Sequence, residues 1–267
     1  MTIGSSFKGS RNKKPLGDTY ICNTYIKTKM KQSQFYYLLR RGLFSAGSAI
    51  IKNGLVMFNK FTTAGLNFPA QGSAEFNGSS DYVQLPDPFS HTNHTIAAWV
   101  YVEGNDDSKY FFDARDADDD GIRLISRNDE SIRYSVNTTD VDALATYKDD
   151  WFFVVGTYDG TTAKLYIDGS LASSSATSQT ISTTTDATIG RQTISFADSR
   201  YMNGNLANVA IWNRALSSDE INSVMWKPVQ ALSATESNGL QAWYSLDDID
   251  GTSVPDSSGN GNNGTAN

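Results

Sequence analysis

The densest run of potential ligands in the sequence lies between Asp113 and Gly121, where Asp116, Asp118, Asp119 and Asp120 crowd together. Asp116, Asp118 and Asp120, followed by Gly121, reproduce the opening of a calcium loop. Alternate carboxylates can converge on one hard cation, and the glycine permits the sharp turn. The position that should supply a bidentate glutamate holds Arg127, and the flanks read as strands, so this is no EF-hand. A solvated acidic turn accounts for the same residues. Asp256 and Asn260, with Asn262, form a second oxygen-rich group in a tail rich in glycine and asparagine, which composition alone reads as a loose loop. Calcium is the one cofactor these patterns suggest.

Other chemistry finds less support. Glycoside hydrolysis needs two carboxylates facing each other across a groove. The acids here cluster in loops such as Asp106-Asp107, Asp149-Asp150 and Asp247-Asp248, and no strand carries the E-x-D-x-x-E form usual for such enzymes, so no catalytic residue is assigned. His91 and His94 sit in a Ser/Thr/Asn-rich stretch with no partner suited to a transition metal. Cys22 is the single cysteine, so no internal disulfide can form. Tyr110, Tyr147, Tyr201 and Trp226 are the aromatics expected to be exposed and able to stack on a sugar. Trp99, Trp151, Trp212 and Trp243 fall mid-strand and are expected in the core.

Charge divides the chain in two. Residues 1–60 carry eleven Lys/Arg and one acid, +10 in all; residues 61–267 carry eleven Lys/Arg and 28 acids, or −17, for a total of −7. A basic arm thus precedes an acidic body. Arg11, Lys13, Lys14, Lys27, Lys29, Lys31, Arg40 and Arg41 are its candidate partner-binding residues. No nucleic-acid fold is recognisable, so an acidic protein surface is the expected partner. There is no 18-residue apolar run and no recognisable signal peptide, so membrane insertion is not expected.

The elements that must position these groups are mostly strands. Gln32–Arg41 has helical spacing, and Asn53-Gly54 marks a hairpin between two apolar stretches. From residue 61, turn signals recur every 8–15 residues, the spacing of an all-β sandwich or barrel. Strands are expected at 74–76, 82–85, 95–102 and 110–112. Hairpins follow at 121–126 with 131–136 and at 151–158 with 163–167, then strands at 187–190, 206–212 and 240–246. One helix, at 217–225, begins with serine at its N-cap and acids in its first turn.

The segments AEFNGSSDYVQLP (74–86), TIAAWVYVE (95–103), GIRLISRNDESIRYSV (121–136), WFFVVGTYDGTTAKLYIDGS (151–170), ATIGR (187–191) and the stretch from Met202 to Met225 resemble, in this order, the laminin-G-like, concanavalin A-like family. The resemblance covers about residues 66–226 and implies an antiparallel jelly-roll β-sandwich. The segment at 239–265 departs from it, because in relatives a similar segment opens the domain. Here it is expected to return as an edge strand. Relatives bind glycans, proteins or calcium, or act as spacers, so the fold alone does not fix function.

These readings lead to a non-catalytic module. The favoured expectation is a multi-copy phage virion component, in the capsid or tail, whose arm at 1–60 binds other virion proteins and whose sandwich at 61–267 is displayed on the virion surface. A lectin-like module for host or other cell-surface glycans, extracellular or on a cell surface, is the alternative. A glycoside hydrolase is the remotest.

Overall fold

The computed structural model describes residues 50–52, 55–57, 72–86, 89, 91–104, 107–116, 120–144, 150–181, 187–193 and 200–267. The chain divides into two compact units, Met1–Leu66 and Asn67–Asn267. In the first, β1 (Ile50–Lys52) pairs antiparallel with β2 (Leu55–Met57), with Lys52 opposite Leu55. The Asn53-Gly54 turn signal itself lies outside the described residues. The helical signal at 32–41 lies outside the described residues.

The second unit is an antiparallel β-sandwich. Its strands are β3 (Ala74–Asn77), β4 (Val83–Leu85), β5 (His94–Val102), β6 (Lys109–Arg115), β7 (Gly121–Ser126), β8 (Ser131–Val136) and β9 (Thr139–Leu144). β10 (Trp151–Tyr158), β11 (Thr162–Ile167), β12 (Ser170–Ala176), β13 (Ala187–Ile189) and β14 (Asn203–Trp212) follow. After helices α1 (Ser218–Val224) and α2 (Ala234–Ser237) come β15 (Leu240–Tyr244), β16 (Ser253–Val254) and β17 (Gly264–Ala266). One sheet runs β12-β11-β10-β5-β14-β15, with β3 also on β14; the other runs β16-β17-β4-β13-β6-β7-β8-β9. This is the jelly-roll architecture expected of the sequence.

Strand periodicity explains how both faces of the first sheet become apolar. Along β5, Ile96, Ala98, Val100 and Val102 enter the core between the sheets, while Ala97 and Trp99 point to a second core on the opposite face. β10 repeats the pattern, with Phe152 and Val154 inward and Phe153 and Val155 outward. Helix α1 covers that outer face with Ile221 and Val224. Ser217 caps it in a capping box with Glu220.

Trp99, Trp212 and Trp243 are buried as expected, but in the core beneath the helix; Trp151 is only half-buried. The crevice between the three tryptophans and Met225 has no room for a water molecule. His94 is not in a loop. It opens β5, fully buried, with Nδ1 2.9 Å from the His91 carbonyl and Nε2 2.5 Å from the Tyr134 hydroxyl. Burial lowers its pKa to about 4 against the help of that carbonyl, so the ring is neutral at pH 7.

The C-terminal segment closes both sheets. β15 pairs with β14 from Val209 to Trp212, beside β3, which pairs with residues 203–206 of the same strand. A bulge at Ala207–Ala210, with Asn208 at φ +50°, separates the two pairings. β17 pairs with β4, and β16 pairs with β17.

The glycine- and asparagine-rich tail is not a loose loop. The Asn260 amide donates to the Leu240 carbonyl, the Asn262 amide to the Gln241 carbonyl and the Ser257 N–H to the Trp243 carbonyl. Side-chain amides therefore occupy the open edge of β15, which would otherwise be free to pair with another chain. Asparagine composition signals irregular backbone but not the fixed acceptors it meets.

Candidate functional site

The outer face of the eight-stranded sheet carries the chemistry. Alternation again dictates it: Ile122, Leu124, Ile132, Tyr134, Val136 and Val141 fill the core, so the residues between them face outward. Strand register lines these up. Gln84, Thr188, Asp113, Arg123, Ser135 and Asp140 stand opposite one another across β4, β13, β6, β7, β8 and β9. A second row places Tyr110, Ile125, Arg133 and Asp142 side by side. Neighbouring strands lie about 4.8 Å apart, which brings cross-strand side chains into contact.

The groups in these rows are fixed by one another. The Arg115 guanidinium donates from Nε to Asp113 Oδ1 at 2.7 Å and from Nη2 to Asp113 Oδ2 at 2.8 Å. The Thr193 N–H adds a third bond to Asp113 Oδ2 at 3.0 Å. Both charged residues are buried, with Asp113 0% exposed and Arg115 4%. Burial pushes the Asp113 carboxyl up from its ordinary value, and the hydrogen-bonded Arg115 opposes that shift.

Toward the sheet edge the pairs open to solvent. Arg133 grips Asp142 at 2.7 and 2.8 Å and also reaches Asp140. Arg123 donates to Ser135 Oγ at 2.8 Å and to Asp140 Oδ1 at 3.1 Å.

At the other end of the face Arg191 lies 3.7 Å from the centre of the Tyr82 ring. Gly190 holds that turn at φ +86°, where a Cβ would meet the Phe76 ring at 2.4 Å. Thr188 Oγ1 fixes the next residue by donating to the Arg191 carbonyl at 2.6 Å. The whole face is thus a rigid array of forked donors and carboxylate acceptors beside an aromatic ring. Such an array suits polyhydroxylated ligands, whose vicinal hydroxyls both donate and accept. Preformed geometry spares the ligand the entropy of ordering the site.

The residues proposed from the sequence fall elsewhere. Asp116 and Asp120 face each other across the β6–β7 turn, where the Asp116 N–H donates to the Asp120 carbonyl at 2.8 Å and the Asp120 N–H to Asp116 Oδ1 at 3.0 Å. Asp118 lies outside the described residues. Asp256 accepts from the Trp243 and Ser258 N–H groups on Oδ1 and from the Ser258 hydroxyl and Asn262 N–H on Oδ2. It latches the tail to β15. Arg11, Lys13, Lys14, Lys27, Lys29, Lys31, Arg40 and Arg41 lie outside the described residues, as does Tyr147.

Tyr110, expected to be exposed, is 1% exposed, because the Arg115 guanidinium lies 5.6 Å from its ring centre and closes over it. Tyr201 and Trp226 are half-buried. The sequence reading missed Arg123, Arg133, Asp140 and Asp142. The signal was present as charges alternating with core residues, in Ile122-Arg123-Leu124, Ile132-Arg133-Tyr134 and Asp140-Val141-Asp142.

Two antiparallel sheets packed face to face, with these polar rows on one outer face, define the class as a jelly-roll β-sandwich. A family model described as the concanavalin A-like lectin/glucanases superfamily matches residues 77–222, and the chain belongs to that family. Among curated proteins no match is found.

Among solved structures, a "putative carbohydrate binding protein" from Bacteroides ovatus superposes with a TM-score of 0.59 at 18% identity over 72% of this chain. The match covers 57% of that protein, little more than half its length. A heptameric SAP-like pentraxin from Limulus polyphemus gives a TM-score of 0.49 at 13% identity, over 69% of this chain and 91% of that one. The CBM40 of the IT-sialidase from Ruminococcus gnavus gives 0.48 at 14%, over 58% and 99%. At these identities the likeness concerns the fold alone. No described helix is long and apolar enough to cross a membrane.

Proposed function

We propose that this chain is a non-catalytic glycan-binding module whose ligand lies on the outer face of the eight-stranded sheet. The observation that carries the reading is the set of interlocked pairs Asp113–Arg115, Arg123–Asp140 and Arg133–Asp142 in two adjacent rows. The partly exposed pairs Arg123–Asp140 and Arg133–Asp142 stabilise little and offer fixed donors and acceptors to a sugar, while the buried Asp113–Arg115 pair holds the strand beneath them. The Bacteroides ovatus structure, named a "putative carbohydrate binding protein", shares the fold and is in keeping with the reading.

A glycan array probed with the full chain tests it, beside the variants Arg133→Ala and Asp142→Ala. Each variant should weaken binding about tenfold, the worth of a charged hydrogen bond, with an unchanged melting midpoint. Absence of any glycan binding by the folded wild-type chain would overturn the reading. Repeating the array in EDTA examines calcium. Loss of binding there, shared by a variant with Asp116, Asp118 and Asp120 replaced by asparagine, would assign the ion to that loop.

The charge separation between residues 1–60 and 61–267 supports a second reading, in which the arm joins the chain to other virion proteins and the sandwich displays the glycan site on the particle surface. Deleting residues 1–60 should then leave glycan binding intact and abolish incorporation into particles. Normal incorporation of the truncated chain removes this second reading alone.

A further inference from the structure

Of the described arginines, Arg115, Arg123, Arg127, Arg133, Arg200 and Arg214 each pair with a carboxylate. Arg191 has no such ion pair among the described residues, and its Nε is buried without a hydrogen-bond acceptor. The contrast matters because residues 61–267 hold 28 acids against eleven Lys/Arg, so acceptors are plentiful in this sequence.

The side chain is nevertheless held in place. The Tyr82 ring lies 3.7 Å from the guanidinium carbon, and the Arg191 backbone bridges Tyr201. An aromatic face stabilises the cation without accepting conventional hydrogen bonds, so the guanidinium donors stay available. Nε itself is buried, but the residue as a whole is only half-buried, so an anion can approach the outer guanidinium nitrogens and balance a cation that no described carboxylate pairs.

We propose that Arg191, propped on Tyr82, is the subsite for a carboxylate-bearing sugar residue of the bound glycan. The proposal rests on the glycan-binding reading and adds a substrate class to it. Tyr82 stands two residues from Gln84 on β4, so Arg191 adjoins the polar rows. A carboxylate can take two parallel donors of the guanidinium fork, which a single neutral hydroxyl cannot do, and this geometry separates acidic from neutral sugars.

The test prints sialyl- and uronyl-terminated glycans twice on one array, as free acids and as methyl esters, and probes both with the full chain. The free acids should bind about tenfold or more tightly than their esters. Arg191→Gln should bring the free acids down to the level of the esters, and Arg191→Lys, with charge but no fork, should keep only part of the preference. Equal binding of acids and esters by the wild-type chain overturns the carboxylate subsite and leaves the glycan-binding reading standing. Binding to neither printing nor to neutral glycans overturns both. The comparison of acid with ester uses the wild-type chain, so it stands even where a variant folds poorly.

Discussion

Trp212 and Asp113, on the two outer faces of the sandwich, are both fully buried, by opposite means. On the seven-stranded sheet, Trp212 is 0% exposed because Trp243, Ile221 and Val224 pack over its surroundings. On the eight-stranded sheet, Asp113 is also 0% exposed, yet it is held by a guanidinium and the N–H of Thr193. Apolar burial stabilises the fold directly, at about 25 cal/mol per Å². Burying an ion pair offers no such return, because the desolvation of both charges offsets their attraction. A sheet that keeps charged pairs where apolar side chains would serve stability better is shaped by something other than stability. The proposed binding role of the polar face accounts for that difference from the helix-covered one.

The largest test of this contrast removes one half of the buried pair. Asp113→Ala takes away the carboxylate that Arg115 grips with two bonds, and should destabilise the fold by about 4 kcal/mol in urea titrations. Asp113→Leu combined with Arg115→Met should recover most of that loss while glycan binding stays weak. A double variant that binds normally would show that the pair is not part of the ligand face.

Between the two faces lies the shared core, where His94 introduces a pH dependence. Desolvation holds its pKa at about 4, against 6.5 for the unfolded chain. Between those values the unfolded state binds a proton that the folded state does not. Stability is therefore complete above pH 6.5 and falls as the pH drops toward 4, by roughly 3 kcal/mol from this group. NMR titration of the ring should show His94 still neutral at pH 5.5; titration near 6.5 would mean the ring is not desolvated. Both faces should lose protection together in hydrogen exchange as the pH falls, since they share this core.

On the apolar face the corresponding test is Ile221→Ala. The residue is fully buried in the core beneath the helix, and its truncation should lower stability by about 2.5 kcal/mol. Glycan affinity measured by calorimetry should not change.

The central strands were legible in the sequence because burial on two faces leaves long apolar runs, as in Thr95–Val102 and Trp151–Tyr158. The strand expected at 240–246 was legible from its alternation, and β15 spans Leu240–Tyr244 of it. β9 and β12 were not expected, since Thr139–Leu144 and Ser170–Ala176 are mostly exposed and offer small or charged side chains without an apolar stripe. Their strand character comes from pairing with β8 and β11, a tertiary effect that local pattern does not carry.

The candidate site was hidden for a related reason. Acids gathered in loops attract attention, whereas Arg123, Arg133, Asp140 and Asp142 are dispersed singly along three strands and meet only through cross-strand register. Alternation predicts that such residues face outward, but register decides which of them touch.

The smallest expected effect gives the strictest separation of the two faces. The Ser217 hydroxyl accepts the Glu220 N–H at 3.3 Å, and Glu220 in turn accepts the Ser217 N–H at 2.9 Å. Arg214 holds the same glutamate with bonds of 2.7 and 3.1 Å. Helix α1 has seven residues, too few to persist without packing, so its cap and its buried side share the task of keeping it on the sheet. Ser217→Ala removes the cap acceptor and leaves the Arg214–Glu220 pair, which should lower stability by about 1 kcal/mol. It should leave every glycan affinity unchanged, because α1 lies on the opposite side of the sandwich from Asp113, Arg133 and Arg191. A shift in affinity without a matching population of unfolded chain would mean that the helix-covered face and the polar face are energetically coupled, and the division of labour drawn between them would fall.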